Sequence, residues 1–167
     1  MGDSASASKT NTNADTRQTE SVSLKDSVQF TLDEARMILP GIQALFGFQL
    51  IAIFNERFDN DLQVLHKGVH LLALLLVALA CALVMAPAAY HRQTEQGAVS
   101  KTMLVIASRL IGLGLVPLML GVSLDVYVVS FLVTGSDPWA AAIGLGCFAV
   151  FAGLWFVFPR FQKRRRR

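Results

Sequence analysis

Apolar positions along the chain gather into four long runs, Ala35–Phe54, Gly68–Tyr90, Met103–Val133 and Pro138–Pro159. A helix of about 20 apolar residues is about 30 Å long, the thickness of a bilayer's hydrocarbon core. Each run therefore predicts a spanning helix, and four of them in 167 residues leave no room for a separate soluble domain. The pattern predicts an all-α fold, a four-helix transmembrane bundle over residues 31–160, with spans at about 35–54, 68–90, 103–133 and 138–159. Residues 1–30 are Ser, Thr, Asn, Asp and Ala with almost no large side chain before Val22. Such a segment buries too little surface to offset its ordering entropy, which predicts a disordered tail. Thr31-Leu32-Asp33-Glu34 reads as a capping box that opens the first helix, and Pro40-Gly41 as a kink at the interface. The third run is too long for one perpendicular span. It carries Gly112, Gly114, Pro117 and Gly121, which serve either an interrupted helix of the transporter kind or close helix packing.

Composition sharpens this picture only where charge is concerned. Hydrophobic residues make up 53% of the chain and mean hydropathy is +0.49, in keeping with a membrane domain. The net charge of +3 hides an asymmetry, since residues 1–34 carry −3 and residues 160–167 carry +6. The basic end, Arg160, Lys163, Arg164, Arg165, Arg166 and Arg167, lies beside a spanning helix. It reads as an orientation signal and a contact for anionic headgroups, worth about 1 kcal/mol per charge, rather than as a nucleic-acid footprint. Arg92 and Lys101 fall on the same side as this tail, and the positive-inside rule then places both termini in the cytoplasm. The expected location is the cytoplasmic membrane, with multiple passes.

Charged residues inside the runs are the candidate chemistry. Asp125 is an acid at membrane depth, expected just inside the outer boundary with Arg57, Lys67 or His70 as partner. An Asp–His contact there could answer to pH, or it could be a boundary salt bridge that fixes helix register. Arg109 lies sixteen residues from Asp125, about 24 Å along a helix, and is expected at the inner boundary, where Glu34 could pair with it. Gln43 and Gln49 read as interhelical hydrogen-bond glue. Cys81 and Cys147 read as small hydrophobes, and with three scattered histidines they form no metal-ligand spacing. The pairs Ala142/Gly146 and Ala149/Gly153 would let helices approach closely, within the bundle or in a homo-oligomer. No phosphate-binding loop, HExxH or nucleophile elbow is present, so neither a catalytic residue nor a cofactor is expected.

Several strings resemble a family of small four-helix bacterial membrane proteins of unknown function. They are Glu34-Ala35-Arg36, Leu39-Pro40-Gly41 and Gln43 to Leu50 in the first run, then Phe54 to Phe58, Ala86 to Arg92, Ser108-Arg109-Leu110 and Asp125-Val126-Tyr127. The likeness covers roughly residues 31–135. Some members carry a sodium:proton antiporter label, and the resemblance thus implies a transport role, without site residues to carry over. Two expectations follow. The first is a non-enzymatic membrane protein acting through helix and lipid contacts. The second is proton-coupled transport of a monovalent cation through Asp125.

Overall fold

The computed structural model describes the backbone of residues 4–94 and 101–165, with side chains at 26–27, 29–56, 58, 60–90, 92 and 104–161. Its described residues form six α-helices and no strand: α1 (Ser4–Ala52), α2 (Glu56–Asn60), α3 (Val64–Thr94), α4 (Lys101–Thr134), α5 (Asp137–Ala152) and α6 (Phe158–Arg165). One π-helical segment, Gly153–Val157, carries α5 into α6 without a break. Four segments are long and apolar enough to cross a membrane: Gln29–Ala52, Val64–Tyr90, Leu104–Thr134 and Asp137–Phe161. The all-α, four-span architecture expected from hydropathy is thus present, with the first two spans beginning earlier than their apolar runs.

Two local expectations are corrected. Helical backbone begins at Ser4, where a disordered tail over 1–30 was expected. Neither Gly nor Pro occurs between Asp3 and Leu39, so no residue in that polar stretch breaks the helical ladder. Thr31 is then no N-cap. Its hydroxyl donates to the Ser27 carbonyl at 2.9 Å, the back-bond of a threonine inside a helix, and Asp33 pairs with Arg36 at 3.3 Å. Of the two readings of the glycine-rich stretch, close packing is the one left, because α4 runs unbroken through Pro117.

Those glycines belong to a packing seam. On α3 the buried positions are His66, His70, Ala73, Val77, Ala80, Val84 and Pro87, spaced alternately by four and three. On α4 the same spacing runs through Ala107, Ile111, Gly114, Leu118, Gly121, Asp125 and Val128, all buried except the half-buried Asp125. A repeat of 3.5 keeps one face of each helix turned to its partner. The two seams meet in antiparallel register. A Cβ on Gly114 would lie 3.1 Å from Val84 Cγ2, and one on Gly121 would lie 2.8 Å from Val77 Cγ2 and 3.0 Å from the Ala73 carbonyl oxygen. Lipid tails remove any hydrophobic drive between helices, so close van der Waals approach through small residues is what holds such a pair.

α5 packs on another face of α4, with Ala140 and Gly144 buried there, and a Cβ on Gly144 would lie 3.2 Å from the Ser123 carbonyl oxygen. Ala142, Gly146 and Ala149 are exposed, so this part of the small-residue stripe is not used within the chain. α1 lies mainly against α3, turning Ile42 and Gln49 inward and leaving Gln43 exposed. Cys81 and Cys147 are both free thiols.

Candidate functional site

The polar ends of the two seams coincide. His70 sits six residues into α3, about 9 Å along its axis, and Asp125 sits nine residues before the end of α4, about 13 Å. His70 Nδ1 lies 3.0 Å from Asp125 Oδ1, and His70 Nε2 lies 3.1 Å from the Gln49 carbonyl oxygen of α1. The Gln49 side-chain amide donates to Asp125 Oδ2. Gln49 and His70 are 4% and 5% exposed, and the Asp125 side chain 14%. Three helices are therefore joined inside the spans by one network.

Its hydrogen bonds constrain its protons. A carbonyl oxygen only accepts, so His70 Nε2 carries a hydrogen. The Nδ1···Oδ1 contact needs a hydrogen of its own, since a bare imidazole nitrogen facing a bare carboxylate sets two acceptors together. Either His70 is imidazolium beside a carboxylate, or a neutral His70 accepts from protonated Asp125. Both states carry the same count: one proton beyond the neutral imidazole and the carboxylate, and no net charge. Removing that proton leaves an uncompensated anion among the spanning helices, an expensive state.

A second layer lies toward the ends of α3 and α4. His66, one turn before His70, places Nε2 3.1 Å from Asp137 Oδ1, and the Tyr127 hydroxyl donates to the same oxygen at 2.8 Å. The His66 ring stacks on Phe131 with centroids 3.8 Å apart and on Tyr127 at 5.8 Å. It is 1% exposed, whereas the Asp137 side chain is 63% exposed. Asp137 owes its place to the tight α4–α5 turn. There Gly135 takes φ +65°, Thr134 Oγ1 accepts from the Ser136 amide, and Pro138 starts the new helix. Among the described residues two buried acceptors have no partner, His66 Nδ1 (in the Nε2–H tautomer its contact with Asp137 requires) and Gln49 Oε1.

Over the inner layer lies an apolar plug. Phe58 of α2 meets His70 edge-on with centroids 5.0 Å apart, and Phe58, Leu62 and Val128 form a small core with Val69, Phe131 and Leu132 against it. Beside the second layer an open apolar groove of about 610 Å³ runs between α3, α4 and α5, lined by Leu65, Val69, Leu124, Tyr127 and Phe148 among others.

Of the expected site residues, Asp125 and His70 come together. Asp125 is not turned to the headgroups, however, because its helix position belongs to the seam and its carboxylate is taken up by His70 and Gln49. The Arg57 side chain lies outside the described residues. Arg109 and Glu34 are exposed and no ion pair joins them, a correction to the expected boundary pair; their helices present them to the surroundings rather than to each other. Arg160 is exposed on α6, and the side chains of Lys163, Arg164, Arg165, Arg166 and Arg167 lie outside the described residues. Among the described residues no group of three His, Cys, Asp or Glu could hold a metal ion. The sequence reading missed His66, Asp137 and Tyr127. For His66 the signal was the seam itself: extending Ala73–Val77–Ala80–Val84 backward by three and then four passes through both histidines.

No curated protein and no solved structure matches the chain. Residues 18–159 match DUF6328, a family of unknown function, and with most of its length covered the chain belongs to that family.

Proposed function

We propose that this protein couples proton movement to movement of a monovalent cation across the membrane, with the His70–Asp125 pair as the proton-carrying group. The observation that carries this reading is the proton count of the pair: one exchangeable proton makes it neutral, and its loss leaves a buried anion. An anion among spanning helices favours a replacement cation, so proton and metal cation compete for one site, the elementary requirement of exchange. The unpartnered Gln49 Oε1 supplies a further oxygen beside the carboxylate. This reading assigns the chain no covalent chemistry. If the basic tail is cytoplasmic, the pair lies in the outer half of the bundle.

The test is flux from purified protein in vesicles that hold a pH dye, under imposed Na⁺ or K⁺ gradients. The wild type should move protons in a cation-dependent way and Asp125→Asn should not. Silence from correctly inserted wild type would sink the proposal. A second reading, a structural clamp acting through helix and lipid contacts, is favoured by the way the network ties α1, α3 and α4 at one level. It predicts that the same substitution lowers thermal stability and that no flux exists to lose.

A further inference from the structure

We infer that His66 is a proton relay between water at Asp137 and the buried His70–Asp125 pair. The inference rests on the proposal that this pair exchanges a proton. The plug formed by Phe58 and Leu62 covers the pair on the side where α1, α3 and α4 end, so a proton needs a route other than direct contact with water. His66 offers one. Its Nε2 contacts a carboxylate that is largely exposed, while its Nδ1 is buried without a partner. The ring thus reaches from a water-facing acid to the bundle interior. It sits one helical turn from His70 on the same seam, where residues four apart are neighbours.

An imidazole passes a proton by accepting at one nitrogen and releasing at the other. In the outward direction Nδ1 accepts the proton leaving the pair, directly or through a water. Nε2 then hands its hydrogen to the Asp137 carboxylate, which loses it to bulk water. The ring regains its first tautomer when Nδ1 gives up its hydrogen to a water that carries it to the Asp137 side while Nε2 takes one up there, so that one proton has crossed in the full cycle. No charge is created or lost beyond the one proton moved. Tyr127 and Phe131 fix the ring plane, and the Tyr127 hydroxyl holds Asp137 Oδ1 where Nε2 can reach it. The titratable groups facing the ring are Asp137 from α5 and Tyr127 from α4.

The test follows the pair's protonation, not transport. Full-length protein in vesicles is taken through a rapid pH jump while infrared absorption reports the Asp125 carboxyl and His70 ring bands, assigned with Asp125→Asn. His66→Phe keeps an aromatic ring between Tyr127 and Phe131 but cannot carry a proton. It should slow equilibration of the pair at least tenfold and leave the final spectrum unchanged. Asp137→Asn makes the same test should His66→Phe fail to fold, since a carboxamide cannot take up and release the proton. Equilibration within twofold of wild type in the folded variant overturns the relay, whatever the flux. A pair whose bands do not respond to pH overturns both the relay and the proposed function. A normal pH response without cation-coupled flux overturns only the function.

Discussion

Gly121 crosses Ala73 so closely that a Cβ on the glycine would lie 3.0 Å from the Ala73 carbonyl oxygen. The nearest obstacle to such a Cβ is Val77 Cγ2, at 2.8 Å, and a β-branched side chain in a helix has little rotamer freedom to withdraw. Gly121→Ala should therefore force α3 and α4 apart and lower stability by about 1–3 kcal/mol, the usual range for overpacking. Gly112→Ala, on the same helix with nothing within 4 Å, is the control and should cost nothing measurable. Reversible unfolding in mild detergent and denaturant would check the pair. Equal midpoints would mean that the seam is looser than described.

Removing the Asp125 carboxyl strands two buried polar groups, His70 Nδ1 and the Gln49 side-chain amide. Asp125→Ala should lower stability by about 2 kcal/mol, the scale of unmet buried hydrogen bonds. His70→Ala combined with Asp125→Ala should cost less than the two changes summed, by about 0.6 kcal/mol or more, the average coupling measured between membrane helices. Additive losses in the double-mutant cycle would show that the two side chains do not interact.

Competition between one proton and one cation has a defined slope. Where the pair is mostly protonated, the apparent cation concentration for half-maximal exchange should rise about tenfold for each unit of pH lowered, the linkage of a single proton. Flux measured against Na⁺ concentration at several pH values gives this slope directly. A value near two would require a second proton, and a flat dependence would separate cation binding from the pair.

Phe58 closes the pair off from the α2 side. Phe58→Ala should lower stability by about 3 kcal/mol, as large aromatic truncations do. It should also admit water, so that ring C–H hydrogen exchange at His70 quickens and proton leak appears without a cation gradient. Unchanged exchange at His70 would place its water access elsewhere.

The basic end makes a simpler test. Deleting residues 160–167 should weaken attraction of the protein to anionic vesicles, with steep salt dependence, if the six charges meet headgroups. Unchanged binding would leave the tail as an orientation signal.

The hydropathy pattern carried most of the architecture, because a bilayer imposes length and apolarity on each spanning segment directly. It carried much less of the site. Asp125 and His70 could be paired from the chain because both sit near the same ends of their runs. The network that includes Gln49, and the layer of His66, Tyr127 and Asp137, depends on how each helix is rotated about its own axis. Apolar residues on every side of a membrane helix blur that rotation, as they would not on a helix facing water. Small residues recover part of it, since Gly114, Gly121, Ala73 and Ala80 mark the seam on which the ionisable groups fall. Arg109 and Glu34 misled for the opposite reason: long exposed side chains near the ends of apolar runs fit many partners on paper, and proximity in depth says little about facing.

The carbonyl that obliges His70 Nε2 to keep its hydrogen belongs to α1, while the rest of the ring's surroundings belong to α2, α3 and α4. A ribosome makes α1 first, before any of those helices exists to receive it. α1 lies mainly against α3, so its carbonyl can reach His70 only once α3 has followed it into the bilayer and the two have packed. Until it docks, His70 is free to choose its tautomer, and the nascent protein holds an ordinary histidine where the mature one holds a committed proton.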